Sequence, residues 1–142
     1  MAQTYSTELQ PTQLSPAQLP SATSGYGARF RRYRASIVLA AQASGDTVVL
    51  ANIPAGYCFA FGVITTDTSL STATVSVGNS GSAAKYKAAA VFTATDTPTL
   101  FGKAVAVSGV PATAGEQVIL TVGTAALPAS GNLVVDLYFS GP

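Results

Sequence analysis

Residues 53–86 constrain the fold of this chain more than any other stretch, because they spell out strand, turn, strand and turn. Pro54 presets φ for a turn and Gly56 suits its end, so Ile53-Pro54-Ala55-Gly56 closes one strand and opens the next. Residues 57–65 are then rich in aromatic and β-branched side chains, the composition of a strand. Asp67, Thr68 and Ser69 carry oxygens that bond their own backbone, which predicts a turn. In residues 72–78, Ala73, Val75 and Val77 alternate with Thr72, Thr74 and Ser76, the period-2 pattern of a half-buried strand. Gly78-Asn79-Ser80-Gly81 ends it; without the lysine and strong helix of a Walker motif it is a turn and no phosphate loop.

The same grammar runs through the rest of the chain. Residues 35–42 and 47–51, split by Ala43-Ser44-Gly45-Asp46, read as a hairpin with Ile37, Leu39 and Ala41 on one face and Val48 and Leu50 on one face of its second strand. In 57–64 the alternation places Tyr57, Phe59, Phe61 and Val63 on one side and Cys58, Ala60, Gly62 and Ile64 on the other. Neither side is polar, so this strand is expected to be covered on both faces. Residues 82–92 are the helix-prone segment, with Ser82 as a cap, yet too short to hold a helix unaided; tertiary contacts decide between a turn or two of helix and a loop. A turn at 93–98, a strand at 99–107 and a turn at 110–115 follow. Residues 117–123 place Val118, Leu120 and Val122 inward, and 133–139 do the same with Leu133, Val135, Leu137 and Phe139, leaving Asp136 outward; 128–132 link these two strands as a hairpin loop. Seven or eight short strands between turns predict an all-β fold, an antiparallel β-sandwich spanning residues 29–142.

Residues 1–28 do not fit that pattern. Pro11, Pro16, Pro20 and Gly25-Tyr26-Gly27 rule out a helix or central strand, and Leu9, Leu14 and Leu19 recur at a five-residue spacing that matches neither. This segment reads either as an extended N-terminal arm, able to reach roughly 90 Å when drawn out, or as a frayed terminus. If it is an arm, its leucines are the anchors for a partner. Next to it, Arg29, Arg31, Arg32 and Arg34 supply four of the seven basic residues, interleaved with Phe30 and Tyr33, whereas from Ala35 onward three lysines face five acids. Such a run can grip phosphate and stack on bases, clamp carboxylates of a protein partner, or form a solvated strand face; one short patch with no nucleic-acid motif favours the protein partner over nucleic acid.

Composition narrows the chemistry. The chain of 142 residues is one domain long, only 9% charged, and has no apolar run near the roughly 18 residues of a membrane span, which predicts a soluble protein whose surface is partly covered in an assembly. The low charge and the doubly apolar strand point to a homo-oligomer, a dimer ahead of a trimer, with Tyr57, Phe59 and Phe61 as the contact. The start has neither basic nor apolar leader regions, so cytoplasmic synthesis is expected. There is no histidine and a single cysteine, Cys58, read as a small buried hydrophobe; no acid–base pair, disulfide, cofactor or zinc site is predicted. Asp46, Asp67, Asp96 and Glu116 lie beside turns, which accounts for them without catalysis or a calcium cage.

IPAG ahead of an apolar strand, the D-T-S-L turn, the T-V-S-V-G strand, A-A-K-Y, and the closing stretch from Gly115 to Phe139 together resemble the small cement (decoration) proteins of tailed phages. The resemblance implies a jelly-roll arrangement of the strands and a virion structural protein on the outer surface of the major capsid protein shell, which it stabilises. It makes the capsid the partner of Leu9, Leu14, Leu19 and of Arg29, Arg31, Arg32 and Arg34. The alternative reading is a β-sandwich carbohydrate-binding or attachment module of a phage fibre, disfavoured by the absence of Trp and left open by the tyrosines. Both readings are non-enzymatic.

Overall fold

The computed structural model describes residues 4, 6, 9–13, 16–18 and 27–142. Leu14 and Leu19 lie outside the described residues. Leu9 is partly buried and precedes a single 3-10 turn, Gln10–Gln13.

Eight strands follow: β1 (Arg29–Val38), β2 (Thr47–Ile53), β3 (Cys58–Thr66), β4 (Thr74–Gly78), β5 (Lys87–Val91), β6 (Thr99–Phe101), β7 (Glu116–Gly123) and β8 (Asn132–Gly141). They form two four-stranded sheets in the orders β1-β8-β3-β6 and β2-β7-β4-β5, with every pairing antiparallel. β1 pairs β8, β2 pairs β7, β3 pairs β6 and β4 pairs β5, which is the pattern of one long hairpin ribbon, turned at β4–β5 and wrapped so that alternate rungs fall in opposite sheets. The result is an antiparallel β-sandwich.

Alternation predicts the inward faces correctly wherever the strand is regular. Leu133, Val135 and Leu137 on β8 and Val118 and Leu120 on β7 have no exposed surface, nor do Val75 and Val77 on β4. They interlock with Ile64, Leu70 and Phe139 to form the core between the sheets.

Four expectations from sequence fail, each for a physical reason. The hairpin at 35–51 is instead an arch between sheets: β1 and β2 lie in different layers, and so do β7 and β8 around 128–132. The two arches satisfy each other, with Leu39 N–H donating to the Gly131 carbonyl, Ala41 N–H to Pro128 and Leu127 N–H to Gln42. The face assignment of β3 fails after Phe59, because the ladder to β8 shifts between Phe59 and Phe61. One extra residue, Ala60, reverses the parity: Phe59 faces the core with Gly62 and Ile64, while Phe61 and Val63 face out. The helix-prone segment becomes a loop and strand β5, since a ladder to β4 satisfies its backbone where a short helix has no cover. Finally, β6 stops at Phe101, because the Lys103 carbonyl turns the chain back by accepting from the Ala106 and Val107 N–H groups.

Gly78 is held to glycine by space: a Cβ there would lie 2.0 Å from the Ser82 carbonyl oxygen, where the 79–82 turn folds back. Leu137→Ala, removing a fully buried side chain, should lower unfolding free energy by about 2–5 kcal/mol in urea titration. Gly78→Ala should also destabilise, and hydrogen exchange should show the loss concentrated in the β4–β5 connection.

Candidate functional site

The exposed side of the β1-β8-β3-β6 sheet brings together three of the side chains singled out from sequence, Arg32, Arg34 and Phe61, with Asp136. Strand periodicity sets one face of β1 as Tyr33, Ala35 and Ile37, opposite Leu137, Val135 and Leu133, and the other as Phe30, Arg32, Arg34 and Ser36. Arg34 stands opposite Asp136 in the register and grips it bidentately, Nε to Oδ1 and Nη2 to Oδ2, both at 2.8 Å. Arg32 adds a third bond, Nε to Oδ1 at 3.2 Å. Asp136 does point outward, but the two guanidinium groups cover it to 8% exposure. Its carboxyl is held below the usual carboxylate range, chiefly by the Arg34 hydrogen bond, against the opposing effect of burial. Arg32 and Arg34 are therefore committed within the chain. Arg31 makes one exposed bond to the Pro142 carbonyl at 3.3 Å, and among the described residues no ion pair holds Arg29.

Beside this ion cluster lies an aromatic row. Phe61 stacks on Tyr138 with centroids 4.6 Å apart, and Phe30 meets Phe61 edge-on at 6.2 Å. The Ala60 bulge puts Phe61 there. A shallow apolar groove of about 450 Å³ continues the row, lined by Ala60, Phe61, Leu100, Phe101, Gly102 and Val107. Phe30 and Leu100 are 62% and 69% exposed, so apolar side chains at both ends of the row and groove stand in solvent. The trio Tyr57, Phe59 and Phe61 is thus not one surface: Phe59 is buried against Tyr86 and Phe139, Tyr57 packs partly on the core, and Phe61 alone joins the outer row. Sequence periodicity has no signal for a one-residue bulge between two aromatics.

The outer side of the other sheet is different. A groove of about 880 Å³ is floored by residues such as Thr47, Ile119 and Thr121 and walled by the 79–83 turn and residues 112–117; its lining holds no aromatic ring. At one end Glu116 accepts from both Lys85 Nζ and the Tyr86 hydroxyl. Burial, then the Glu116 bond, pushes the Tyr86 hydroxyl well above the usual tyrosine range. Glu116 thus anchors a loop to the core edge and does more than accompany a turn; Asp46 matches the turn reading by accepting from Ala43 N–H, whereas Asp67 also ties its turn to the start of β8 by accepting from Asn132.

Cys58 is buried, burial raises its thiol pKa, and no base adjoins it. Among the described residues no three His, Cys, Asp or Glu groups gather to hold a metal ion, and no helix is long and apolar enough to cross a membrane.

No family model and no curated protein matches the sequence. Three solved structures share the fold. A chain of the Cyanophage Pam1 capsid asymmetric unit aligns at a TM-score of 0.66 and 20% identity, over 91% of this chain and 96% of that one. A chain of the capsid of Ralstonia phage GP4 aligns at 0.64 and 17%, over 88% and 90%. A chain of the acidic stable capsid of Helicobacter pylori bacteriophage KHP30 aligns at 0.59 and 16%, over 80% and 88%. At these identities the likeness is one of fold.

The ion cluster fixes an acid dependence. Asp136 and Asp67 both have lowered folded-state pKa values, so their stabilisation is complete above the unfolded carboxylate value of about 4 and is lost as pH falls through the lower folded values. Melting temperature should accordingly drop from about pH 4 downward, and Asp136→Asn should be less stable at neutral pH with a flatter acid limb, as thermal melts across pH would record.

Proposed function

We propose that this chain is a non-enzymatic virion structural protein, a cement or decoration protein that binds the outer surface of the major capsid protein shell and stabilises the head after synthesis in the host cytoplasm. The observation that carries the reading is the correspondence, over nine-tenths of both chains, with a component of the Cyanophage Pam1 capsid asymmetric unit. The strand orders 1-8-3-6 and 2-7-4-5 support the jelly-roll arrangement. Residues 1–28 serve as an arm along the shell, with Leu9, Leu14 and Leu19 as apolar anchors, and residues 29–142 as the sandwich. The unpaired cationic contribution falls to Arg29 and Arg31, while Arg32 and Arg34 share Asp136 and retain one net positive charge with it.

The carbohydrate-binding alternative ranks behind, because the groove of about 880 Å³ presents hydroxyl and amide groups without the ring on which a sugar face stacks.

Co-sedimentation with shells lacking the protein is the test. The full chain should bind; deletion of residues 1–28 should leave the sandwich folded by circular dichroism and sharply reduce occupancy. Arg29→Ala with Arg31→Ala should weaken binding most at low salt, where exposed charges are least screened. Full occupancy by the truncated chain would assign the arm no role, and failure of the intact chain to bind would remove the capsid reading.

A further inference from the structure

The two outer faces of the sandwich differ in kind, and the geometry points to the β1-β8-β3-β6 face as the side that lies on the shell, with the β2-β7-β4-β5 face turned to solvent. This orientation rests on the capsid reading and specifies it. The first face carries the Phe30, Phe61, Tyr138 row and the Leu100 groove. It also carries two guanidinium groups over one carboxylate, a surplus positive charge at its centre. A hollow adjoining the groove is lined by Gly27, Ala28, Phe30 and Val107, so the described chain enters β1 at the rim of this same apolar surface. Arg29 and Arg31 flank Phe30 in β1, with strand alternation setting their side chains on the other side of the strand. An arm and a face that engage one partner must meet it from one side, and this is the side on which they adjoin.

The opposite face has none of these features. Its side chains include Thr47, Asn52, Gln117 and Thr121, with half-buried Ile119 and exposed Val49 and Val91 among them. Its nearest cations are occupied: Lys85 is paired with Glu116, and Lys87 Nζ donates to the Val75 and Ala88 carbonyls. Scattered valines among hydroxyls and amides are ordinary solvated surface. The occupant of the first face is therefore a shell surface that is apolar at its centre and carries a net excess of carboxylates.

The experiment compares surface variants of the full chain for binding to shells lacking the protein. Phe30 and Leu100 are exposed, so Phe30→Asp with Leu100→Asp leaves the core intact, which thermal melting confirms; it should raise the dissociation constant at least about tenfold. Val49→Asp on the other face should bind within about twofold of the unmodified chain. Equal binding by the double variant overturns the orientation while the capsid reading stands, and so does a comparable loss from Val49→Asp. If the unmodified chain self-associates in sedimentation without shells and the double variant is monomeric, the face belongs to a second copy and the orientation is wrong. If the unmodified chain binds no shell, the capsid reading fails and takes the orientation with it.

Discussion

Strand β8 is the constraint on which the rest of this molecule depends. It is hydrogen-bonded on both edges, to β1 and to β3, and both of its faces are covered over most of its length. Leu133, Val135 and Leu137 complete the core on one side. On the other, Asp136 would be a carboxylate stranded in the middle of a sheet if Arg34 and Arg32 did not reach it. A covered carboxylate without those donors costs several times what an exposed one does, so the register of β1 against β8 is set by charge as well as by apolar side chains. A slip of one residue would put Arg34 in the core and Ile37 in water.

That bond also reinterprets the most conspicuous cluster in the sequence. Four arginines in six residues look like a patch waiting for an external partner, and half of them are internal structure. The pairing was not legible from sequence, because alternation reports the face of a residue and is silent about its cross-strand neighbour. Asp136 was visible as an outward acid and Arg34 as a strand residue; only the β1·β8 pairing, 102 positions apart, joins them.

The same distinction separates what the sequence revealed from what it hid. Turns at Pro54 to Gly56 and Asn79 to Ser82, and the inward sets on β4, β7 and β8, follow from local rules, and local rules found them. The arches at 39–46 and 124–131 resemble hairpin loops in length and composition, yet they cross the sandwich; that choice is made by the ribbon as a whole. Alanine's helix propensity in residues 83–90, worth a few tenths of a kcal/mol per residue, yields to a ladder with β4. The Ala60 bulge has no local signature at all, and it decides which of two neighbouring aromatics is core and which is surface.

Nested pairing has a further consequence on the ribosome. β1 emerges first and has no partner in its own sheet until β8 has been made; at about 5–20 residues per second, the gap between Arg34 and Asp136 is several seconds of synthesis. Over that interval the nascent chain can assemble β4 with β5 and then β3 with β6, while β1 waits with both edges open. Its arginines then act as a temporary guard, since like charges keep an unpaired strand from joining the same strand of a neighbouring nascent chain. The residues that lock the finished sheet thus also protect the unfinished one.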